Sequence, residues 1–230
     1  KQALLAGNDI VMLSKTPNLW DPIWTALAAA MGEEEEFRNR VRDAARRVLE
    51  LKLSYLRGEG HVPYLPDPAK LDAELPSPEG AAFFLDLAAR SVTVVRGGGS
   101  VIPLRREDAG RVLLAGQYED FFWAGKAAYP DAQNYWYSTA RGLEDFAYFV
   151  RNSDTVIFCI SSAEGLRILE SIKNMNKRVI VFSVLNPAYL EELPWTEGAL
   201  AVYSYAPESF VAGFSVLLGR IPAGGSLPYE

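Results

Sequence analysis

The sequence contains very little cysteine and histidine. Its 230 residues include one cysteine, Cys159, and one histidine, His61. One cysteine cannot form an intramolecular disulfide or a cysteine-rich metal site. A Ser-His-Asp triad or a histidine-rich zinc site would have to use His61. Because His61 lies in the turn-rich stretch 58–63, we interpret it as an exposed linker residue, which leaves carboxylates as the candidates for acid–base chemistry.

The sequence also has no excess of basic residues and no long apolar run. The formal net charge is −6 and the isoelectric point is about 5.0, which argues against a nucleic-acid-binding surface. Asp9 and Lys15 bracket the longest early apolar run, so we predict no membrane helix. Nothing in the sequence indicates a metal or a cofactor. The single cysteine is weakly typical of a cytoplasmic protein, although it does not exclude export.

The composition is that of a globular chain. Hydrophobic residues make up 49% and charged residues 23%, which excludes wholesale disorder. At about 100–200 residues per domain, this length allows one large domain or two modest ones.

Residues 1–57 resemble the end of a larger α/β unit. The apolar run 10–13 predicts a fully buried parallel strand, and the segments around it predict helices. A single strand has unpaired edges and cannot form a sheet alone. Because the chain opens inside a predicted helix and without a methionine, we expect a mature or truncated product.

Residues 58–79 predict an extended linker between two domains. Five prolines stand at positions 63, 66, 68, 76 and 78. Proline fixes φ and removes a backbone donor, which favours an extended connector.

Residues 80–230 predict a doubly wound α/β/α sandwich with a mainly parallel sheet. Strands separated by helices of ten or more residues imply right-handed βαβ units. The predicted strands are 91–95, 112–115, 134–137, 155–160, 178–184 and 200–203. The predicted helices are 81–90, 118–128, 139–151, 163–174 and 207–218.

Two loops after predicted strands carry candidate phosphate-binding or catalytic residues. Gly97, Gly98 and Gly99 follow a strand, but their spacing fits neither phosphate-binding fingerprint, so they predict a tight turn. Ser162 and Glu164 stand where a strand turns into a helix, a usual position for ligand-binding groups. Glu164 is either a general acid or an ordinary acidic residue in the first turn of a helix capped by Ser162.

Other strand ends and aromatic residues give only weak indications. Polar residues follow three more predicted strands: Gln117 with Tyr118, Asn186, and Ser204 with Tyr205. Aromatic residues that could stack on sugars are Phe121, Phe122, Trp123, Tyr135, Trp136 and Tyr137. An aromatic content of 12% is nevertheless enough to build cores without any ligand.

Several sequence segments, in order, resemble the carboxyl-terminal part of glycoside hydrolase family 3. They are AGNDIVML at 6–13, RVRDAARRVL at 40–49 with Lys52, AARSVTVVR at 88–96, IPL at 102–104, AVYSYAPES at 201–209 and GRIPAGGSLP at 219–228. The resemblance implies that 1–57 is the last strand and helices of a (β/α)8 barrel, and that 80–230 is the second domain. The short link 161–165 is more similar to the β-N-acetylglucosaminidase branch.

The resemblance also implies that this chain is inactive alone. The family's nucleophile is an aspartate on a barrel strand upstream of this segment, and the acetylglucosaminidase branch takes its acid/base from an aspartate–histidine pair earlier still. Neither motif is present, so the expected partners are the upstream barrel segment and a small saccharide. Ser14 and Lys15, after the predicted strand, are candidate substrate-binding residues. Two alternatives stay open: a β-glucosidase using Glu164 as acid/base, and a non-catalytic sugar-binding or scaffold module.

Overall fold

A computed structural model of the chain describes residues 1–18, 20–61, 63–65, 67–75, 77–137 and 143–229. These residues form two compact units, Lys1–Leu75 and Pro76–Glu230.

The first unit is helical. Its helices are α1 (Gln2–Leu5), α2 (Pro22–Glu33), α3 (Glu35–Arg57) and α4 (Pro68–Glu74). Asp21 caps α2 by accepting a hydrogen bond from the Ile23 amide at 3.0 Å. Asp9 accepts a 2.7 Å hydrogen bond from Arg40 of α3 and forms an ion pair with Arg47, and these contacts hold its pKa below the usual range.

Two expectations for the first unit are wrong. Residues 10–13 form no strand and are exposed, Ile10 to 68% and Met12 to 93%. A strand needs a neighbour to pair with, and the described part of this unit supplies none. The predicted extended linker 58–79 contains α4, because the Asp67 carboxylate caps the Ala69 amide and Pro68 fits the first helical position. Residues 62, 66 and 76 of that linker lie outside the described part of the chain.

The described residues of the second unit form a six-stranded mixed sheet with helices on both faces. The strands are β1 (Thr93–Arg96), β2 (Val112–Gly116), β3 (Gln133–Trp136), β4 (Thr155–Ile160), β5 (Arg178–Ser183) and β6 (Gly198–Ala201). The helices are α5 (Pro78–Ser91), α6 (Glu119–Ala128), α7 (Leu143–Arg151), α8 (Ala163–Glu170) and α9 (Pro207–Leu217), with 3-10 turns at Arg106–Asp108 and Pro187–Leu190. The strand order is β1-β6-β5-β4-β2-β3, and only β1 runs antiparallel to its neighbour.

Each face of the sheet carries its own hydrophobic core. On one face α5, α6 and α9 cover a cluster that includes Phe121, Phe182 and Phe214. On the other face α7 and α8 cover a cluster that includes Phe158 and Leu169. The predicted doubly wound sandwich is therefore confirmed, because the central strands β4 and β5 bury residues on both faces.

The differences from the predicted elements lie at their ends. The strand predicted at 200–203 occupies Gly198–Ala201, since Tyr203 adopts a left-handed conformation with φ of 61°. The helix predicted at 163–174 ends at Glu170, where the Ser171 hydroxyl donates to the Ile168 carbonyl. Of the helix predicted at 139–151, residues 139–142 lie outside the described part of the chain, and Leu143–Arg151 is helical.

The glycines at 97–99 form the predicted tight turn. Gly97 and Gly99 have φ of 83° and 76°, and the amides of Val101 and Ile102 donate to the Gly97 carbonyl. A side chain at Gly97 would place its Cβ 2.6 Å from the Glu197 carbonyl oxygen. Only glycine suits this combination of positive φ and close backbone approach.

Candidate functional site

The strand order reverses between β2 and β4, and at such a reversal the loops at the carboxyl ends of the two strands border a crevice. From β2 the chain crosses through α6 to β3, which lies on the side of β2 away from β4. From β4 it crosses through α8 to β5, which lies on the side of β4 away from β2. Because α6 and α8 pack on opposite faces of the sheet, the two loops that begin them diverge. In open α/β sheets, ligands bind at such a reversal of strand order. The crevice is therefore the candidate site.

The loop after β2 contributes Gln117 and Tyr118. The Gln117 amide donates a 3.2 Å hydrogen bond to the Tyr137 carbonyl, which ties this loop to the end of β3. Tyr118 stacks on Tyr205, which follows β6, with ring centroids 5.5 Å apart and planes within 2°. Tyr118 also contacts Phe210 of α9, with centroids 6.0 Å apart. Two distant segments thus form one aromatic pair.

The loop after β4 contributes Ser162 and Glu164. The Ser162 hydroxyl accepts the Gly165 amide at 3.3 Å, so the capping role predicted for Ser162 is confirmed. Glu164 lies in the first turn of α8, where the helix dipole favours a negative charge. Its Oε1 atom is buried and has no hydrogen-bond partner among the described residues. A carboxylate oxygen in that state is a costly feature that often marks a binding site. The choice between general acid and structural residue stays a prediction.

Tyr137 lies beneath these two loops. Its hydroxyl donates a 2.8 Å hydrogen bond to the Cys159 carbonyl, and its ring stacks on Phe158. A Cβ at Gly165, the third residue of α8, would be 3.0 Å from this hydroxyl, so a larger residue would crowd it. Burial raises the pKa of Tyr137 well above its usual range, and the neighbouring Tyr118 and Glu164 raise it further. Tyr137 is therefore a neutral donor that fixes the floor of the crevice.

This raised pKa predicts alkaline sensitivity. Above about pH 10 the unfolded chain releases the tyrosine proton that the folded chain retains, so the free energy of unfolding falls as pH rises. We expect Tyr137→Phe to lower the stability at pH 7 by about 1 kcal/mol, through the lost hydrogen bond, and to make the alkaline decline shallower. Urea denaturation at pH 7 to 11 measures both effects. Tyr148→Phe, at an exposed tyrosine of α7, is the control. Equal alkaline slopes for both variants would contradict the argument.

The candidate residues of the first unit are exposed to solvent. Ser14 and Lys15 form an exposed bend in the first unit, and His61 is also exposed. Substrate binding by Ser14 and Lys15 stays a prediction.

Four of the six aromatic residues considered for sugar stacking belong to the core. They are Phe121, Phe122, Tyr135 and Tyr137, all of them buried. Trp123 and Trp136 are exposed. The Tyr118–Tyr205 pair was missed, because residues 87 positions apart in the chain carry no local signal of their contact.

One cavity of the second unit lies away from the crevice. A cavity of about 370 Å³ lies at the amino ends of β2, β3 and β4, beside Arg111, Tyr129 and Asp131, on the edge opposite to the crevice. Arg111 pairs there with Asp154 and holds the pKa of that carboxyl well below its usual range. Among the described residues there is no cluster of three potential metal ligands. No described helix is long and apolar enough to cross a membrane.

Comparisons with known proteins identify the fold. No family model and no curated protein matches the sequence. A family 3 β-N-acetylglucosaminidase from a Paenibacillus species is 21% identical, with a TM-score of 0.72 over 99% of this chain and 46% of its own. A fungal multi-domain family 3 β-N-acetylglucosaminidase is 22% identical, with a TM-score of 0.70 over 96% of this chain and 27% of its own. A β-glucosidase from Listeria innocua is 12% identical, with a TM-score of 0.57 over 84% and 33%.

This chain therefore spans less than half the length of each of these structures. Its fold is that of the carboxyl-terminal portion of family 3 glycoside hydrolases, and the resemblance inferred from the sequence is confirmed at the level of the fold.

Proposed function

We propose that this chain is the carboxyl-terminal part of a retaining glycoside hydrolase that removes terminal β-linked N-acetylglucosamine from cell-wall or chitin fragments. The observation that carries the proposal is the TM-score of the structural match. The two N-acetylglucosaminidases match the chain at TM-scores of 0.72 and 0.70, whereas two β-glucosidases, one of which covers 98% of the chain, match it at 0.57 and 0.58. The short link between β4 and α8, closed by the Ser162 cap, supports the same branch.

The first unit fits the role of a barrel end that an upstream segment completes. Among its described residues only Phe37 and Ala44 are buried. A chain segment with so small a core cannot offset the conformational entropy lost on ordering it. Apolar residues that a partner would cover include Ile10, Val11, Met12, Leu13, Leu49, Leu51 and Leu53. The upstream barrel segment is the partner that we propose.

Amide hydrogen exchange of the chain alone tests this part of the proposal. We expect residues 1–57 to exchange fast, because their helices have little tertiary packing, and β4 and β5 to exchange slowly. Adding the upstream segment should slow the exchange of 1–57 and leave β4 and β5 unchanged. Protection of 1–57 equal to that of β4 and β5 without any partner would contradict the barrel-end assignment.

Hydrolysis with retention requires a nucleophile and an acid/base on either side of the scissile bond, most often two carboxyl groups about 5 Å apart. One acts as the nucleophile and the other donates the proton to the leaving group. In the described part of the crevice, Glu164 is the carboxylate with a buried, unpaired oxygen. Our proposal assigns both catalytic groups to the upstream barrel segment and a supporting position to Glu164.

A β-glucosidase is the second candidate, and the Glu164 Oε1 atom is the observation that favours it. A carboxyl group with a buried oxygen that has no described partner, at the reversal of strand order, is a suitable general acid in its protonated form. In this case Glu164, in the first turn of α8, would be the acid/base of the enzyme. The non-catalytic module, a third reading, predicts no hydrolysis under any condition.

Glu164→Gln in the enzyme that includes the upstream segment separates the two candidates. We expect a loss of kcat/KM below about threefold, because a helix-dipole contact is worth only about 0.3–1 kcal/mol. Added azide should give no rescue. Glu119→Gln, at an exposed acidic residue of the first turn of α6, is the matched control.

A loss near the upper part of the 10²–10⁴-fold range typical of general acids, reversed by azide, would overturn the supporting role of Glu164. That result would move the enzyme to the β-glucosidase reading. Hydrolysis of the aryl N-acetylglucosaminide and of the aryl glucoside by the same enzyme tests the proposed sugar directly.

A further inference from the structure

Three arginine side chains line one cavity at the edge of the sheet opposite to the crevice. They are Arg105, Arg106 and Arg220, and the cavity, of about 360 Å³, is completed by Glu107 and Leu218. The first two arginines precede β2, and the third follows α9, which runs back from β6 to the edge where the strands begin. All three arginines are exposed, so a ligand from solvent can reach them.

The end of α9 fixes the position of Arg220. The Gly219 amide donates to the Val216 carbonyl, and the Arg220 amide donates to the Ser215 carbonyl, both at 2.9 Å. Because Gly219 has φ of 71°, these two hydrogen bonds form a Schellman motif. Backbone amides therefore satisfy the last carbonyls of α9, and the Arg220 side chain is not needed to cap the helix.

The segment before β2 is joined to the same helix end. The Leu104 amide donates a 2.7 Å hydrogen bond to the Leu217 carbonyl. The Arg106 guanidinium donates to the Ala127 and Ala128 carbonyls, which lie at the end of α6. A cation at a helix carboxyl end is favourable, so this contact accounts structurally for Arg106. It does not account for the other two arginines of the cavity.

The positive charges of Arg105 and Arg220 are not neutralised within the described part of the chain. Neither side chain forms an ion pair or a hydrogen bond there. Three arginines and one glutamate give the lining a net charge of +2, although the whole chain carries −6. Guanidinium groups stay charged at any accessible pH, so they repel one another until an anion binds between them.

We propose that this cavity binds a phosphate group, either as inorganic phosphate or as the phosphate monoester of a small ligand. Arg105 and Arg220 donate hydrogen bonds to the phosphate oxygens, which the planar guanidinium group can bind in pairs. Arg106 adds a positive charge that is already held in place by α6. A phosphate monoester carries a charge of about −1.5 to −2 at pH 7, which matches the lining better than a singly charged carboxylate does.

The test is a titration of the isotopically labelled 230-residue chain with sodium phosphate at constant ionic strength, followed by amide chemical shifts. We expect saturable shifts at Arg105, Arg106 and Arg220, and none in β4 or β5. Arg105→Gln and Arg220→Gln should each weaken binding about three- to tenfold, as expected for one charge-assisted contact at an exposed site, and together they should abolish it. Arg167→Gln, at an exposed arginine of α8 on the opposite face, is the matched control.

Titrations with glucose 6-phosphate and with sodium acetate identify the anion. Tighter binding of glucose 6-phosphate than of phosphate would assign the cavity to a monoester, and tighter binding of phosphate would assign it to the inorganic ion. Acetate that binds as tightly as phosphate would overturn the preference for a doubly charged group. Shifts that do not saturate, or that the double variant leaves unchanged, would overturn the site. None of these outcomes depends on the proposed function, because the cavity and the crevice lie on opposite edges of the sheet.

Discussion

The 230-residue chain alone should hydrolyse p-nitrophenyl N-acetyl-β-glucosaminide no faster than buffer. Retaining hydrolysis needs a nucleophile and an acid/base held about 5 Å apart, and our proposal assigns both to an upstream segment. Glu164, the one carboxylate that we identify in the crevice, cannot perform both roles. Because glycosidase-type rate enhancements exceed about 10⁶-fold, the expected difference between this chain and a complete enzyme is very large.

Co-expression of the upstream barrel segment is the complementary arm of this experiment. We expect it to generate hydrolysis that co-purifies with the 230-residue chain. The aryl β-glucoside serves as the substrate control and should react much more slowly. Robust turnover by the 230-residue chain alone would contradict the assignment of the catalytic groups to the proposed upstream segment. Activity on the glucoside but not on the N-acetylglucosaminide would contradict the proposed sugar.

Replacement of Phe182 by alanine should cause the largest loss of stability in the second unit. Phe182 lies on β5, is fully buried, and contacts Phe121 and Phe214 with centroids 5.9 and 4.7 Å apart. Gly213 of α9 lies so close that a Cβ there would be 2.6 Å from the Phe182 ring. Such tight packing leaves neighbours little freedom to fill a cavity, so we expect Phe182→Ala to lower the free energy of unfolding by about 3–5 kcal/mol.

Phe83→Ala is the matched control, because this phenylalanine of α5 is 61% exposed. Its substitution should change the free energy of unfolding by less than about 0.5 kcal/mol. Urea denaturation followed by circular dichroism at 222 nm measures both variants. Similar losses for Phe182→Ala and Phe83→Ala would mean that the packing described around β5 does not determine the stability of this unit.

The central strands were the easiest elements to predict. The strand predicted at 155–160 is found with the same bounds as β4, and the one predicted at 178–184 is one residue longer than β5. Both contain a continuous apolar run, 156–160 in β4 and 179–182 in β5, because parallel strands in the middle of a sandwich are buried on both faces. The start of α9 was equally clear, since Pro207 suits the first helical position.

The apolar run at 10–13 has the same local pattern as β4, but it forms no strand here. The apolar pattern indicates which side chains are buried, but a strand forms only where another segment supplies backbone hydrogen-bond partners. The local pattern contains no information on whether such a segment lies beside it. The prolines at 63–78 predict an extended linker, but the segment contains a helix. The Asp67 side chain caps this helix, which begins at Pro68.

The amino-acid sequence by itself determined the class of the second unit: alternating strands and helices, a Ser162 cap and a glycine turn at 97–99. These features depend on local propensity and on the period of apolar residues, which act within one element. The strand order, the crevice between β2 and β4, and the contact of Tyr118 with Tyr205 were decided only by the tertiary structure. They depend on which elements become neighbours, and that follows from burying both faces of the sheet at once.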